Sequence, residues 1–500
     1  MNSTNSDSNQ QSESHTIWTQ QKFKQLFAAS ADVQMKVYNL DHHSHSSEIM
    51  LIYADGLTDT SLIAKIILPE LHEMFQKSGF LTMNQGNLYS KLPLVPMVGN
   101  VNSQLIEDTI FDGRIIIFFS QTNELYEMSI SKMPLRTPDE SNTEISIKGP
   151  KDGFVEDIST NVALIRKRIR SNSLCFEEQI MGRRTRTKVG LLYFRDIISP
   201  KILNEVRNRL SKIDLDGLYT VNQLEELLVD SKYSLFPLID TTGRPDYVVA
   251  CLLNGRFVII VDGNPMVLIG PGSLALLMKS PEDVHFNYIY VSAVRLIRGL
   301  SLFLSIVLPA FWVALTAFHQ DEIPYRLMAT IATARQGLPF SAQMELFLLL
   351  LLLEIFREAG VRLPSSIGQT LTVIGGLIIG DASIRAGLVS PSSVVVGAIT
   401  AVTGATLVNQ ALSSVVSVLR FALFLISAIL GMYGLILGCI VLVIYISRLR
   451  TFGISYLSPI SPFKAPDFIR SILRLPWTKL KNRPSFLDTI DSDHQGDDKP

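Results

Sequence analysis

The sequence predicts an α/β soluble N-terminal half, made of two small α/β subdomains, followed by an α-helical transmembrane domain with about four spans plus a re-entrant or broken segment. Two observations support this fold class. The apolar residues of the 500-residue chain are concentrated in its last two fifths. In the part before them, short apolar runs alternate with helical patterns and with turn signals such as Asp-Gly.

Two N-terminal segments follow from composition and pattern. Residues 1–20 form a polar tail without a signal-peptide pattern, and we expect them to be disordered. Residues 21–148 contain a helix pattern that Asp59 can cap. They also contain three strand patterns, at Ile49–Ala54, Arg114–Phe119 and Leu125–Ile130. Because strand, helix and strand follow one another, we expect an α/β subdomain with a partly parallel sheet.

A helical basic connector is expected at residues 149–188. Asp157 can cap a helix that ends in basic residues, where the helix dipole favours them. Two basic clusters stand here, at 166–170 and 183–188. Clusters of this kind usually form solvated faces, and anionic lipid head groups are their alternative partners.

The second α/β subdomain is expected at residues 189–290. Val189–Phe194 is a strand pattern, and helices are expected from Ser199-Pro200 and from Thr220. Asn254-Gly255 separates two apolar runs, Tyr247–Leu253 and Arg256–Val261. Asn-Gly between two such runs predicts a β-hairpin with a type I′ turn.

A transmembrane domain is expected at residues 291–450, followed by a basic cytoplasmic tail at 451–500. A span needs about 20 apolar residues. The four candidate spans are 299–318, 337–356, 394–408 and 421–447. Arginines flank the first, second and fourth candidates, and the positive-inside rule places these arginines, both chain ends and the soluble half in the cytoplasm. An even number of crossings follows. Either four spans are joined by a re-entrant segment at 363–380, or six crossings result when the 363–380 stretch and part of 400–419 are both counted.

The stretch from Arg357 to Asp381 is the predicted functional part. Its short apolar centre is broken by glycines and flanked by polar residues and charges, and such backbone survives at membrane depth only where protein or water surrounds it. Close helix packing is the alternative role for the glycines. The carboxylates near the second span either mark an ion path or pair with arginines at the interface. The pore or gate candidates are Glu354, Glu358, Arg362, Gln369, Thr370, Val373, Gly375, Gly376, Gly380 and Asp381, with Glu345 as a secondary candidate.

Catalysis is not expected from this sequence. It contains no Walker A loop, no GxSxG elbow and no CxxC pair, and the pattern begun by His72-Glu73 has Gln76 where a zinc protease needs a second histidine. We therefore expect no enzyme, no cofactor and no metal site. The net charge of −1 gives no reason to expect nucleic acid. Three widely spaced cysteines indicate a reducing compartment.

Several long motifs, in order, resemble the A-subunit family of GerA-type spore germinant receptors. They are GPKDGFVEDISTNVALIRKRIR from Gly149, YSLFPLIDTTGRPD from Tyr233, LLNGRFVIIVDGNP from Leu252, REAGVRLPSSIGQT from Arg357 and AILGMYG from Ala428. The resemblance extends from about residue 149 to Pro462. One departure is Gly243, where the family often has an acidic residue.

The resemblance implies a subunit of a nutrient receptor that triggers endospore germination. Such a subunit is a multi-pass protein of the spore inner membrane, with its soluble half on the spore-core side. It acts with a permease-like B subunit and a lipoprotein C subunit. The resemblance also implies a homo-oligomer, a pentamer, that forms a germinant-gated cation channel. The alternatives are a downstream ion-release channel of the same family and a small-solute transporter, and a transporter is expected to show inverted repeats that this sequence lacks.

Overall fold

The first subdomain is built on a five-stranded sheet with the order β1-β2-β4-β5-β3. The computed structural model describes residues 18–42, 45–78, 80, 92–98, 101–132, 146–362 and 380–494. The strands are β1 (Val33–His42), β2 (His45–Ala54), β3 (Val95–Pro96), β4 (Arg114–Phe119) and β5 (Glu124–Ser129). Every pairing is antiparallel, so the predicted partly parallel sheet is wrong. The β1–β2 and β4–β5 pairs are hairpins. The expected parallel crossover from β2 to β4 overlooked β3, which the chain forms between them.

Helices cover both faces of this sheet, which explains why β2 is an unbroken apolar run rather than an alternating one. Asp59 starts the helical segment on one face and accepts a hydrogen bond from Ser61 N at 3.1 Å, as predicted. Asn102 caps the helix on the other face. The helical segments are α1 (Gln20–Leu26), α2 (Thr60–Leu62), a π-helical turn (Ile63–Ile67), α3 (Leu68–Ser78) and α4 (Ser103–Phe111).

The second subdomain repeats this plan with a five-stranded antiparallel sheet of order β6-β7-β9-β10-β8. Its strands are β6 (Leu174–Met181), β7 (Thr187–Phe194), β8 (Asp240–Thr242), β9 (Phe257–Val261) and β10 (Val267–Gly270). Its helices are α5 (Ile158–Arg166), α6 (Pro200–Ser211), α7 (Val221–Leu228), α8 (Pro245–Leu253) and α9 (Leu274–Leu277). Helix α5 and strand β6 come from the predicted connector, so part of that segment belongs to the second sheet.

The predicted hairpin around Asn254-Gly255 is wrong, because its first arm is helix α8. Pro245 occupies the first turn of α8, where its missing N–H costs nothing. Gly255 has φ +88° and ends the helix in the left-handed conformation. Asn-Gly therefore marks a helix C-terminus here, and the same two residues in isolation fit both structures.

A buried ion pair joins the two subdomains. Arg166, at the end of α5, donates from Nε to Asp32 Oδ2 at 2.7 Å and from Nη2 to Asp32 Oδ1 at 3.0 Å. Its guanidinium also lies 4.4 Å from the ring centroid of Phe111 in the first subdomain. Arg168 and Arg170 pair with Asp152 and Asp112. Arg166 and Arg168 of the first basic cluster thus make internal contacts, whereas Lys167 and Arg170 are exposed.

The C-terminal half contains five helices longer than eight residues among the described ranges. They are α10 (Tyr288–Phe318), α11 (Tyr325–Ala334), α12 (Ala342–Arg362), α13 (Pro391–Ala405) and α14 (Gln410–Arg448). Two of the helices in the described part, α10 and α14, are long and apolar enough to cross a membrane. The four predicted spans are therefore not confirmed. The first lies within α10 and the second overlaps α12, whereas the third meets a helix of only 15 residues.

The fourth predicted span, 421–447, is wrong as a single crossing, because the chain reverses at Gly431. Gly438 packs directly against Leu423, since a Cβ built on the glycine would clash with Leu423 Cδ1. Residues 15 apart in a straight helix are separated by about 22 Å, so this contact requires a hairpin. Gly431, with φ +62° and ψ −142°, supplies the reversal. Arms of about 20 residues each approach the length that an apolar bilayer core needs.

The segment after α14 packs against the second subdomain. A short hairpin, Arg450–Thr451 with Ile454–Ser455, leads to helix α15 (Ala465–Ile472). Further on, Ile490 N donates to Ile197 O at 3.0 Å. The predicted cytoplasmic tail is therefore a folded part of the protein up to the last described residue.

Replacing Asp32 with Asn is expected to lower the free energy of unfolding by about 3–5 kcal/mol, because Arg166 is left buried without a counter-charge. The matched control is Asp214→Asn, which removes an exposed pair with Arg183 and is expected to cost under about 1 kcal/mol. Thermal unfolding of the purified full-length protein measures both. If both variants lose the same free energy of unfolding, the buried Arg166–Asp32 pair contributes no more to stability than an exposed pair, and the prediction is wrong.

Replacing Gly431 with Ala is expected to destabilise the helix hairpin by about 1–3 kcal/mol, because its backbone conformation is one that glycine alone adopts readily. A new Cβ would also lie 3.0 Å from Phe318 Cγ. Gly299→Ala is the control, since that glycine lies inside α10 with nothing within 4 Å of a new Cβ. The midpoint of thermal unfolding should fall for the first variant and not for the second. A wild-type midpoint for Gly431→Ala would argue against the reversal.

Candidate functional site in the helix bundle

The structure describes about half of the predicted pore or gate residues. Glu354, Glu358 and the secondary candidate Glu345 lie on α12, and Gly380 and Asp381 begin a helical turn at 380–385. The side chain of Arg362 lies outside the described part of the chain. So do the residues at the centre of the predicted segment, Gln369, Thr370, Val373, Gly375 and Gly376. Their role stays a prediction.

Pro309 leaves one backbone carbonyl in the middle of α10 without its helical hydrogen-bond donor. Proline has no N–H, so the carbonyl of Ser305, four residues earlier, loses its helical donor. Arg420 of α14 replaces that donor by donating from Nε to Ser305 O at 2.9 Å. Gly404 leaves the space for the arginine, since a Cβ there would lie 3.1 Å from Arg420 Nη2. An arginine that is 6% exposed is therefore fixed between three helices.

Glu354 supplies negative charge next to Arg420. Its Oε2 lies 3.9 Å from Arg420 Nη1 and accepts a hydrogen bond from Ser417 Oγ at 3.2 Å. Arg357, one turn further along α12, also pairs with Glu354 and donates to Ser413 Oγ at 3.1 Å. Two arginines and one carboxylate thus meet between α12 and α14, in a region whose other packing is apolar. Arg420 is buried, whereas the side chains of Arg357 and Glu354 are 40% and 24% exposed. Charged residues within an apolar helix bundle usually mark a functional pathway or a helix contact.

Glu345 lies at the other end of α12 and caps α13. It is 1% exposed and accepts hydrogen bonds from Ser390 N and from Ser390 Oγ, the latter at 2.6 Å. A carboxylate is favourable at this helix N-terminus. Arg335 Nε lies 4.0 Å from Glu345 Oε2, so the alternative expectation of a partner arginine also fits the geometry.

Helices α12 and α13 run in the same direction. Glu345 contacts the start of α13, and Leu349 and Leu353 contact Gly397 further along it. A simple four-span meander places antiparallel helices side by side in sequence. The parallel order of α12 and α13 differs from such a meander. The reversal at Gly431 lies inside the fourth predicted span and not in 400–419, where the six-crossing alternative placed its additional crossing.

The second subdomain holds the ends of this bundle. Asn409 caps α14 by accepting from Leu412 N at 2.9 Å, and its Nδ2 donates to Asp240 Oδ1 at 2.8 Å. At the other end of α14, Thr451 Oγ1 donates to Leu238 O at 2.9 Å. Burial raises the pKa of Asp240 to about 6, although Tyr247 OH donates to it at 2.9 Å.

Sequence reasoning did not select Arg420, Asp240 or Asn409. Arg420 had a usable signal, because it is the sole charge between Ala386 and Ser447. Asp240 and Asn409 carry no such signal in the sequence. Their contact joins residues 169 positions apart, and neither residue stands out among its neighbours in the chain. Among the described residues, no group of three or more histidine, cysteine or acidic side chains is arranged to hold a metal ion.

Residues 21–486 match the family described as Bacillus/Clostridium GerA spore germination protein. The chain belongs to the GerA family. It is 41% identical over 450 residues to spore germination protein XA of Bacillus anthracis, covering 90% of this chain and 92% of that protein. It is 35% identical to spore germination protein KA of Bacillus subtilis, covering 95% of this chain and 87% of that one.

Two further comparisons involve a membrane protein and a solved structure. The chain is 37% identical to the uncharacterized membrane protein YfkQ of Bacillus subtilis, with 75% of this chain and 73% of that protein covered. The solved structure is the N-terminal domain of the A subunit of the Bacillus megaterium spore germinant receptor GerK3. It aligns with a TM-score of 0.38 and 24% identity over 50% of this chain and 92% of that one.

Replacing Arg420 with Met is expected to lower the free energy of unfolding by roughly 1–3 kcal/mol, because the Ser305 carbonyl is left without a donor. Adding Pro309→Ala should recover part of this loss, since the introduced alanine supplies the missing helical N–H. Thermal unfolding of the single and double variants in lipid nanodiscs measures the coupling.

The control for this pair is Arg385→Met, which removes an arginine that is 78% exposed and pairs with Asp381. We expect a change below about 1 kcal/mol there. Strictly additive effects of Arg420→Met and Pro309→Ala would contradict the proposed link between the proline and the arginine.

Proposed function

We propose that this GerA-family protein is the A subunit of a nutrient germinant receptor in the spore inner membrane, and that its copies assemble into a germinant-gated cation channel. The observation that carries the proposal is the charged group of Glu354, Arg357 and Arg420 inside the helix bundle. A fully apolar bundle packs without such groups, and a buried charge such as that of Arg420 is expensive to keep. Their placement next to the predicted pore segment supports an ion path.

The contacts of the soluble half support a role in passing a conformational change to the helix bundle. The second subdomain contacts both ends of α14, at Asn409 and at Thr451, and α14 carries Arg420. A displacement of this subdomain therefore reaches the charged group through one helix. We propose that a permease-like B subunit binds the nutrient and, with a lipoprotein C subunit, drives that displacement from the membrane side. The soluble half and the C-terminal segment would then lie on the spore-core side.

The proposal extends to the segment between α12 and residue 380. Gln369, Thr370, Val373, Gly375 and Gly376 are the proposed lining of the conduction path, in a homo-oligomer that places one copy of the segment from each subunit around a common axis. Arg362 and Glu358 before this segment, and Gly380 and Asp381 after it, are its proposed mouth residues. Glycine has no side chain, so Gly375 and Gly376 would leave room for ions in such a path.

Spores that carry Glu354→Gln or Gly376→Leu are expected to release monovalent cations at least about tenfold more slowly after germinant addition. The first change removes the carboxylate that balances Arg357 and Arg420, and the second narrows the proposed path. A tenfold change corresponds to about 1.4 kcal/mol in the barrier. Flame photometry of the medium, sampled over the first minutes, measures the release.

The matched control is Glu322→Gln, which neutralises an exposed carboxylate in the loop after α10. Immunoblots of spore membranes must show each variant at wild-type abundance. Wild-type release rates in both Glu354→Gln and Gly376→Leu spores would refute the channel assignment. Uptake of a small solute by vesicles that contain this protein alone would instead favour the transporter alternative.

A further inference from the structure

A cavity of about 400 Å³ lies where the second subdomain, the base of α10 and the C-terminal segment meet. Helices α8 and α9 form one side, and α15 with the chain up to His494 forms the other. The C-terminal segment is fixed over it, because Arg483 Nε donates to Leu253 O at 2.8 Å. The volume falls in the range of sites for small ligands, about 300–1,000 Å³.

Arg256 is the unusual group in this cavity. It follows Gly255, which ends α8, and its side chain lines the cavity while being only 5% exposed. Its Nη1 is buried and has no hydrogen-bond partner among the described residues. The carboxylate of Asp240 is near enough to act on the charge of Arg256, but it leaves this N–H group without an acceptor. A buried donor left unsatisfied costs about 1–3 kcal/mol, more on a charged group. An acceptor that enters the cavity would satisfy this donor.

The other charges of the cavity also favour an anion. Five cationic side chains line it, against three carboxylates. All three carboxylates are paired with arginines: Asp246 with Arg244 at 2.7 Å, Asp283 with Arg295 at 2.9 Å, and Asp467 with Arg470 at 4.0 Å. Burial, with the charges of Arg295 and Arg256, lowers the pKa of Lys279 to about 8. Burial is the largest cause of this lowering, and the charges of Arg295 and Arg256, which add to it, also favour an anion in the cavity.

Arg474 is a further cation whose partners are neutral. It donates to the backbone carbonyls of Phe286 and Val284. Its positive charge is therefore little compensated within the cavity, whereas Arg470 lies 4.0 Å from the carboxylate of Asp467. Apolar side chains complete the lining, with Leu253 and Leu276 on one side and Phe486 on the other.

We propose that this cavity binds a small organic anion, with a phosphate or carboxylate group against Arg256 and Lys279 and an apolar body against Leu276 and Phe486. Such a ligand would bridge the second subdomain, α10 and the C-terminal segment. The binding itself is independent of ion conduction, so either proposal can fail alone.

Phenyl phosphate is the probe, because it combines a phosphate with an apolar ring of suitable size. We expect saturable binding to the full-length protein in phosphatidylcholine nanodiscs by isothermal titration calorimetry, with weaker binding of inorganic phosphate and none of phenol. Arg256→Gln and Lys279→Gln should each raise the Kd about tenfold or more, as loss of a hydrogen bond from a charged donor predicts. Lys279 is half-buried, so its variant tests the site if Arg256→Gln fails to fold.

Arg183→Gln is the control, since it removes an exposed arginine of the same subdomain away from the cavity. Repeating the titration with phosphatidylglycerol in the nanodiscs identifies the source of the anion. A higher apparent Kd would indicate that a lipid phosphate competes, and an unchanged Kd would assign the site to a soluble anion. Absence of binding to the wild-type protein, or an equal Kd in the Lys279→Gln variant and the wild type, would overturn the proposal.

Discussion

The hydrogen bond from Arg420 to the Ser305 carbonyl is the interaction on which the helix bundle depends. A transmembrane helix must satisfy every backbone group within protein, and Pro309 removes one donor from α10. Arginine is well suited to replace it, because it offers five N–H donors and stays charged. Its charge in turn requires a carboxylate, which explains the position of Glu354 on α12. One missing N–H therefore accounts for a buried charged group that joins three helices.

The same arginine relates the bundle to the soluble half. Arg420 lies three turns into α14, whose first residue follows Asn409, and Asn409 binds Asp240 in the second subdomain. The return arm of the hairpin ends near Thr451, which binds the strand region of that subdomain. Both ends of the hairpin are thus anchored on one rigid sheet, whereas its tip at Gly431 contacts Phe318, the last residue of α10. A tilt of the sheet would move Arg420 relative to α10.

Local signals in the sequence were sufficient for many elements and insufficient for their arrangement. Ile49–Ala54 and Val189–Phe194 are apolar runs that form buried strands, and Asp157 caps α5 as expected, accepting from Thr160 N at 2.7 Å. The β-hairpin predicted at Asn254-Gly255 was wrong because helix ends and hairpin turns both use a glycine with positive φ. The reversal at Gly431 could not be predicted from the sequence, because a glycine in an apolar run can equally serve close packing between membrane helices. Charged contacts such as Asp32 with Arg166 join distant residues, and a single sequence carries no signal for them.

The C-terminal segment changes how the predicted tail should be understood. Its arginines satisfy the positive-inside pattern, but Arg474 and Arg483 donate to backbone carbonyls of α10's entry and of α8. Such contacts hold the segment at the base of the bundle, close to Arg295 and Arg298, which share the carboxylate of Asp283. The cavity beneath it therefore lies at the point where α10 leaves the soluble half. A ligand bound there would act on the same helix whose Pro309 fixes Arg420, so the two polar sites of the protein are joined through α10.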